Sequence, residues 1–182
     1  MKHGSLQVFG FEGTPRELLE RLVEENQERL LLHFEDVTMH PESLAIPSES
    51  HDKHRQQYKA QSFHEILARF ASKSIHALGL VNLDLFVPEL NFVFGTAQYG
   101  GNAIVALPRL RQSYYGQSDD EELFFQRTVK EVFHELGHVL RLRHCTKFCV
   151  MQFSNSLVDT DNKPESYCSD CLRKLKWESR TQ

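Results

Sequence analysis

No cysteine occurs in the first 144 residues, no apolar stretch approaches 18 residues, and neither sign of charge is in large excess. Each absence narrows what the chain can be. Without an apolar run of about 18 residues there is no membrane-spanning helix. The opening residues, Met1-Lys2-His3-Gly4-Ser5-Leu6, lack the apolar core of a secretory signal, and a cytoplasmic location is expected. A net charge of −4 and a pI near 6.2 argue against a general polyanion binder. The one basic run, Arg173, Lys174, Lys176 and Arg180, reads as a solvated helix face or tail. Neither nucleic acid nor a membrane is therefore expected as a partner. Repeats and low-complexity tracts are missing too. At 182 residues the chain suits one domain, able to bury about 70% of the surface its unfolded form exposes.

The four cysteines that do occur, Cys145, Cys149, Cys168 and Cys171, lie close together near the end. Two local pairs with a loop between them suit tetrahedral zinc, each pair presenting thiolates from a tight turn. The alternative is two disulfides, which need an oxidising compartment. A cytosolic chain favours the metal.

Just ahead of them stands His134-Glu135-Leu136-Gly137-His138, with His144 six residues further on. His134 and His138 are spaced to project from one face of a helix, one turn apart. Neutral imidazoles are good zinc ligands, and three protein ligands leave a position open for water. Glu135, about 100° around the helix, can accept the proton of that water. The buried stripe of this helix is expected at Val129, Val132, Phe133, Leu136 and Leu140, with the histidines on a different face. If the helix continued, His144 would lie about 9 Å along the axis from His138 and off its face. The chain must leave the helix near 140–142 and turn back. Glycine would suit that turn, but the sequence has Arg141. Either a left-handed arginine is tolerated at about 1–2 kcal/mol, or the turn has another geometry. In an extended segment after it, His144 and Cys145 would point to opposite faces and serve different metals.

The remaining elements follow from periodicity and punctuation. Leu6 to Phe9 reads as a strand. A helix starts near Thr14-Pro15 and carries Leu18, Leu19, Leu22 and Val23. Leu30 to Met39 reads as a second strand, and residues 41–55 as the longest surface loop. Phe63, Ile66, Leu67 and Phe70 mark another helix, and Ala77 to Val87 a strand covered on both sides. Alternating strands and helices imply a mostly parallel sheet. Asn91 to Ala97 and Ala103 to Leu107 flank a glycine-containing turn, adding an antiparallel strand. At the sheet edge beside the metal cleft, that strand could hold an extended peptide, or simply be an edge. Ser118-Asp119-Asp120-Glu121 has the form of a capping box, starting the histidine helix near 119. Asp84 reads either as an ion or ligand contact or as a buried acid capping backbone. Tyr114 and Tyr115 read as surface-loop tyrosines.

Nine positions of fixed type and order, His134, Glu135, His138, His144, Cys145, Cys149, Met151, Cys168 and Cys171, resemble the archaemetzincins, a branch of the metzincin clan of zinc metallopeptidases. The segments Leu83-Asp84-Leu85-Phe86-Val87-Pro88 and Phe92-Val93-Phe94-Gly95 are similar to the family too, and the match covers roughly residues 76–172. Arg141 departs from it, standing where the metzincin pattern has glycine. The resemblance implies a zincin-like metzincin fold of the α/β (α+β) class. It would have a mixed, mostly parallel twisted sheet with one antiparallel edge strand, a long active-site helix and a small zinc-stapled C-terminal subdomain. One catalytic domain over 1–182 would divide into an N-terminal part, 1–140, and a C-terminal part, 141–182. Two zinc ions are implied: a catalytic one on His134, His138 and His144, with Glu135 as general base, and a structural one on Cys145, Cys149, Cys168 and Cys171. Met151 would lie in a tight turn beneath the catalytic ion. The expected activity is hydrolysis of peptide bonds in a peptide or protein substrate, by a monomer. The competing reading is a zinc protein that binds peptides in the same cleft without cutting them. Glu135 argues against it, because binding alone needs no base beside the metal.

Overall fold

The computed structural model describes residues 2–178, leaving aside the side chains of 177 and 178; Arg180 of the basic run lies outside them. The sheet that organises the fold has the order β2-β1-β5-β8-β7, with β1 at His3–Gly10, β2 at Phe34–Met39, β5 at Ile75–Val81, β7 at Gly95–Ala97 and β8 at Asn102–Ala106. All neighbours are parallel except β7, the edge strand, which pairs antiparallel with β8. A second, three-stranded sheet joins β3 (His51–Asp52), β4 (Gln57–Lys59) and β6 (Leu85–Phe86). The sequence thus gives a mixed, mostly parallel sheet with one antiparallel edge. No helix among the described residues is long and apolar enough to cross a membrane.

Period-two alternation divides the large sheet between two cores. Leu6, Val8, Leu78, Leu80, Ala103 and Val105 face helices α1 (Arg16–Leu31) and α3 (Glu121–Val139). Phe9, Ala77, Val81, Ile104 and Ala106 face the other way, toward α2 (Ala60–Leu67). Phe94 joins the first core and Val93 the second, as their alternation requires.

Several boundaries differ from the sequence reading, each for a local reason. The second strand starts at Phe34 instead of Leu30, because Leu30 is buried as the last apolar contact of α1. Thr14 does not cap α1; its hydroxyl donates to Leu80 O at 3.0 Å, and Pro15 occupies the cap position. The apolar run 77–87 breaks at Asn82–Asp84 into β5 and β6, because Asp84 turns to meet Arg109 Nε at 2.6 Å. The cap of α3 is Asp120, two residues after the Ser118 of the expected capping box, and its carboxylate accepts from Leu123 N at 3.0 Å. Asp119 accepts from the amide and hydroxyl of Ser113.

The end of α3 decides where His144 goes. The Arg141 amide donates to His138 O at 2.9 Å and the Leu142 amide to Gly137 O at 2.8 Å, the two bonds of a Schellman turn. Arg141 has φ +68°, the left-handed conformation at a position glycine usually fills. The β7–β8 hairpin supports the turn: Gly100 N donates to Val139 O at 2.7 Å, satisfying a carbonyl the helix end leaves open. The Arg141 guanidinium lies against the same residue, Nη2 falling 3.0 Å from where a β-carbon on Gly100 would sit. Arg141→Gly should remove about 1 kcal/mol of backbone strain and raise the urea midpoint at constant zinc. A lowered midpoint would mean that the guanidinium's packing on the hairpin outweighs that strain.

Candidate metal centre

The reversal at Arg141 brings the rings of His134, His138 and His144 together. Their ring centroids are 4.8 to 5.3 Å apart, and the Nε2 atoms of His134 and His138 approach to 3.1 Å. The candidate ligand atoms of the trio all lie within 4.8 Å of one another. His134 Nδ1 is 2.8 Å from Val150 O, and His138 Nδ1 is 2.8 Å from Leu142 O. A carbonyl can only accept, so each Nδ1 carries the hydrogen and each Nε2 turns a lone pair toward the shared centre. Burial lowers the proton affinity of all three rings, most strongly for His134, and favours the neutral form a metal needs. The donor set and its orientation fit a zinc ion with an open side.

Gly137 and Met151 explain how the floor of this centre packs. Met151 is fully buried under α3, and a β-carbon on Gly137 would lie 2.2 Å from its sulfur. The helix can rest on that methionine only because Gly137, the residue before His138, has no side chain. Tyr167 fastens the same region, its hydroxyl donating to Phe133 O at 2.6 Å.

Glu135 sits beside the histidine trio on the cleft side. Burial, and then the neighbouring carboxylate of Glu131, raise its proton affinity well above the ordinary carboxylate range. Its side chain lies against the backbone of the edge strand: a β-carbon on Gly95 would come within 2.6 Å of Glu135 Cγ and 2.7 Å of Oε1. The cleft, about 530 Å³, runs between β7 and the histidine trio. Two exposed aromatics frame it: Tyr99 edge-on to His138 at 6.1 Å and Phe153 beside His144 at 4.9 Å.

The four cysteines gather on the far side of His144. Cys145 Sγ is 3.8 Å from Cys168 Sγ, and Cys149 Sγ is 3.7 Å from Cys171 Sγ. A disulfide needs about 2.05 Å, whereas thiolates on a tetrahedral zinc, each about 2.3 Å from the metal, stand roughly 3.8 Å apart. The cluster therefore fits zinc and not disulfides. The Cys168 amide donates to Cys149 Sγ at 3.2 Å, as expected for a sulfur carrying negative charge. Cys145 N donates to Met151 O at 2.9 Å and closes the loop between the two groups.

The seven residues named as zinc ligands fall in these two clusters, whereas Asp84, offered as an ion or ligand contact, lies in neither. Asp84 is an anchor, held by Arg109 at 2.6 and 2.8 Å, by Gln57 at 3.0 Å and by the hydroxyl of Tyr114 at 3.1 Å. Sequence reasoning missed Gly95, Tyr99 and Phe153, whose proximity depends on tertiary packing. It also missed the buried ion pair of Glu131 with Lys163 at 2.8 Å. Glu131 precedes Glu135 by one helical turn, so its place on the same face was available in the spacing.

Comparison with known proteins gives the family. The model of Peptidase family M54 matches residues 45–177. The chain is 45% identical over 140 residues to an archaemetzincin of Pyrococcus furiosus, covering 74% of this chain and 73% of that one. It is 35% identical over 161 residues to the archaemetzincin of Methanopyrus kandleri, covering 87% and 89%. The crystal structure of archaemetzincin from Methanopyrus kandleri superposes with a TM-score of 0.81 at 33% identity, over 98% of this chain and 96% of that one. A zinc-dependent peptidase from Methanocorpusculum labreanum superposes with a TM-score of 0.80 at 27% identity, over 93% and 99%. The chain belongs to peptidase family M54, the archaemetzincins, and is a zinc metallopeptidase.

Proposed function

We propose that this protein hydrolyses peptide bonds at a zinc ion held by His134, His138 and His144, with Glu135 as general base, and that Cys145, Cys149, Cys168 and Cys171 hold a second, structural zinc. The observation that carries the reading is the convergence of three neutral imidazoles beside a buried carboxylate in an open cleft. Zinc in such a site supplies Lewis acidity, acidifying water and polarising a carbonyl.

The protein's own groups do the rest. Glu135, its proton affinity raised by burial, takes the proton of the attacking water and returns it to the leaving amine. The edge strand β7 offers its unpaired side to an extended peptide, which would lie across the cleft as an added strand. Gly95, having no side chain, lets that strand pass close to Glu135. The structural zinc would stiffen the segment carrying His144 and Met151 from behind. In the proposed division, residues 1–140 supply the sheet and helix, and 141–182 the reversal and the cysteine site. Unbridged thiols suit the reducing cytoplasm, and a monomer suffices because every group invoked lies in one chain.

A peptide-library digest of wild type, Glu135→Ala and Gly95→Ala tests this reading. Wild type should cleave, and Glu135→Ala should lose at least a hundredfold in kcat/KM with zinc content unchanged. Equal digestion by the two would reject the base, and a fully zinc-loaded wild type that binds but cuts nothing would make this a peptide-holding protein. Gly95→Ala should lower kcat by about tenfold or more while keeping its metal, because the new methyl group displaces the Glu135 carboxylate. Undiminished turnover would separate Gly95 from the base.

A further inference from the structure

We infer that a second cavity, on the α2 side of β7, is a substrate subsite that selects an aromatic side chain at the peptide residue lying level with Thr96. The inference rests on the proposed peptidase reading and names the substrate class of that site.

The edge strand separates two cavities. One is the cleft that holds the histidine trio; the other, about 390 Å³, is lined by Gln61 and His64 of α2 and lies beyond the strand. Val87, Thr96 and Ala97 line both, so the two meet at the free edge of β7. Pairing with β8 fixes the face to which each residue of that edge turns. Gly95 and Ala97 stand opposite Val105 and Ala103, which belong to the core under α3. Thr96 stands opposite Ile104, which belongs to the core under α2. Directly paired residues share a face, and a strand added to the free edge repeats the alternation. A peptide residue level with Gly95 or Ala97 therefore turns its side chain toward α3, where Glu135 and the histidines lie. The residue between them, level with Thr96, turns its side chain into the second cavity. It is the chain neighbour of the residue that passes Glu135, so its side chain is read beside the reacting carbonyl.

The lining says what that side chain should be. Phe86, Val87 and Pro88 give the cavity an apolar wall. The one buried polar side chain in the lining is His64, 4% exposed. Its Nδ1 donates to Asn102 Oδ1, and its carbonyl accepts from Asn102 Nδ2 at 3.4 Å. Burial lowers the proton affinity of this imidazole, so the ring is neutral. The charged members of the lining, Lys59 and Glu89, are exposed and of opposite sign, and favour neither kind of ion. A metal on the histidine trio would be held on the α3 side, by residues outside this lining. A charged substrate group would thus give up water here without a buried partner of opposite charge. An aromatic ring suits the space better: it offers a large apolar area, two rotatable bonds, and an edge or face for Phe86.

The test uses the zinc-loaded protein with Glu135→Gln, so that binding is read without cleavage. Peptides acetylated at the N-terminus and amidated at the C-terminus carry phenylalanine, leucine, lysine or glutamate walked through an alanine-rich host. At one position phenylalanine should bind about tenfold more tightly than alanine, lysine or glutamate, and about threefold more tightly than leucine. Gln61 lines the second cavity and not the cleft, so adding Gln61→Trp plugs the subsite alone. Phenylalanine and alanine should then bind within about twofold at that position, with the ranking at other positions kept. Should that variant fold poorly, Thr96→Phe fills the same cavity from the strand and should give the same result. Equal affinity for all the peptides, or leucine matching phenylalanine, would overturn the inference. So would a phenylalanine preference that survives both plugs, which would belong to the apolar wall of the main cleft, or a plug that weakens every peptide alike. Wild type that cleaves peptides without this preference overturns the inference and leaves the peptidase reading standing; wild type that cleaves none while the binding preference persists removes the peptidase reading alone.

Discussion

The candidate metal centre rests on the backbone reversal at Arg141, held by two amide bonds into the last turn of α3 and by the Gly100 amide on Val139 O. A helix by itself can offer two histidines to an ion, because only residues three or four apart share a face. The third must come from chain that has turned back. Here that turn is made by an arginine at φ +68°, so about 1–2 kcal/mol of backbone strain is carried at the point that sets the geometry of the site. The hairpin that closes on the helix end is the same one whose strand borders the cleft. The position of His144 and the width of the cleft are thereby linked through one short contact.

Beyond the turn, the C-terminal segment is pulled against α3 by charged groups with few exposed atoms. Arg127 takes both carboxylate oxygens of Asp161 at 2.7 Å, Lys130 caps the carbonyls of Thr160 and Asp161, and Lys163 meets Glu131. Breaking a buried pair by removing one partner typically costs about 3–5 kcal/mol, so the Lys163–Glu131 pair, with side chains 1% and 4% exposed, holds its register strictly. Together with the Tyr167 hydroxyl on Phe133 O they fix the depth of Met151 beneath Gly137. The cysteine cluster closes the segment at its far end. The histidine and cysteine clusters, buried ion pairs and backbone turn therefore constrain one stretch of chain from three directions.

Much of this was legible in the sequence because the chemistry imposes spacing. The i, i+4 histidines, the paired cysteines and the need for a reversal before His144 all follow from ligand geometry, and the structure gathers them into two clusters. The mixed sheet with an antiparallel edge followed from periodicity and the glycine turn at 100–101. What escaped was set by tertiary competition for polar groups. Thr14 has the chemistry of a cap, yet the Leu80 carbonyl claims its hydroxyl first. Leu30 continues a helix because the core needs its side chain. Gly95 mattered only once Glu135 was seen packed against it, and Lys163 only once residues 160–163 were laid on α3. Local pattern records a residue's preferences; it does not record which of several available partners is nearest.

The most direct measurement is anomalous diffraction above and below the zinc edge from crystals of the untreated protein. The account predicts two peaks in each chain, one equidistant from Nε2 of His134, His138 and His144 with no fourth protein ligand, and one at the centre of the four cysteine sulfurs. A structure in which the ring of His144 lies away from the other two, or in which a protein side chain fills the open coordination position, would contradict it.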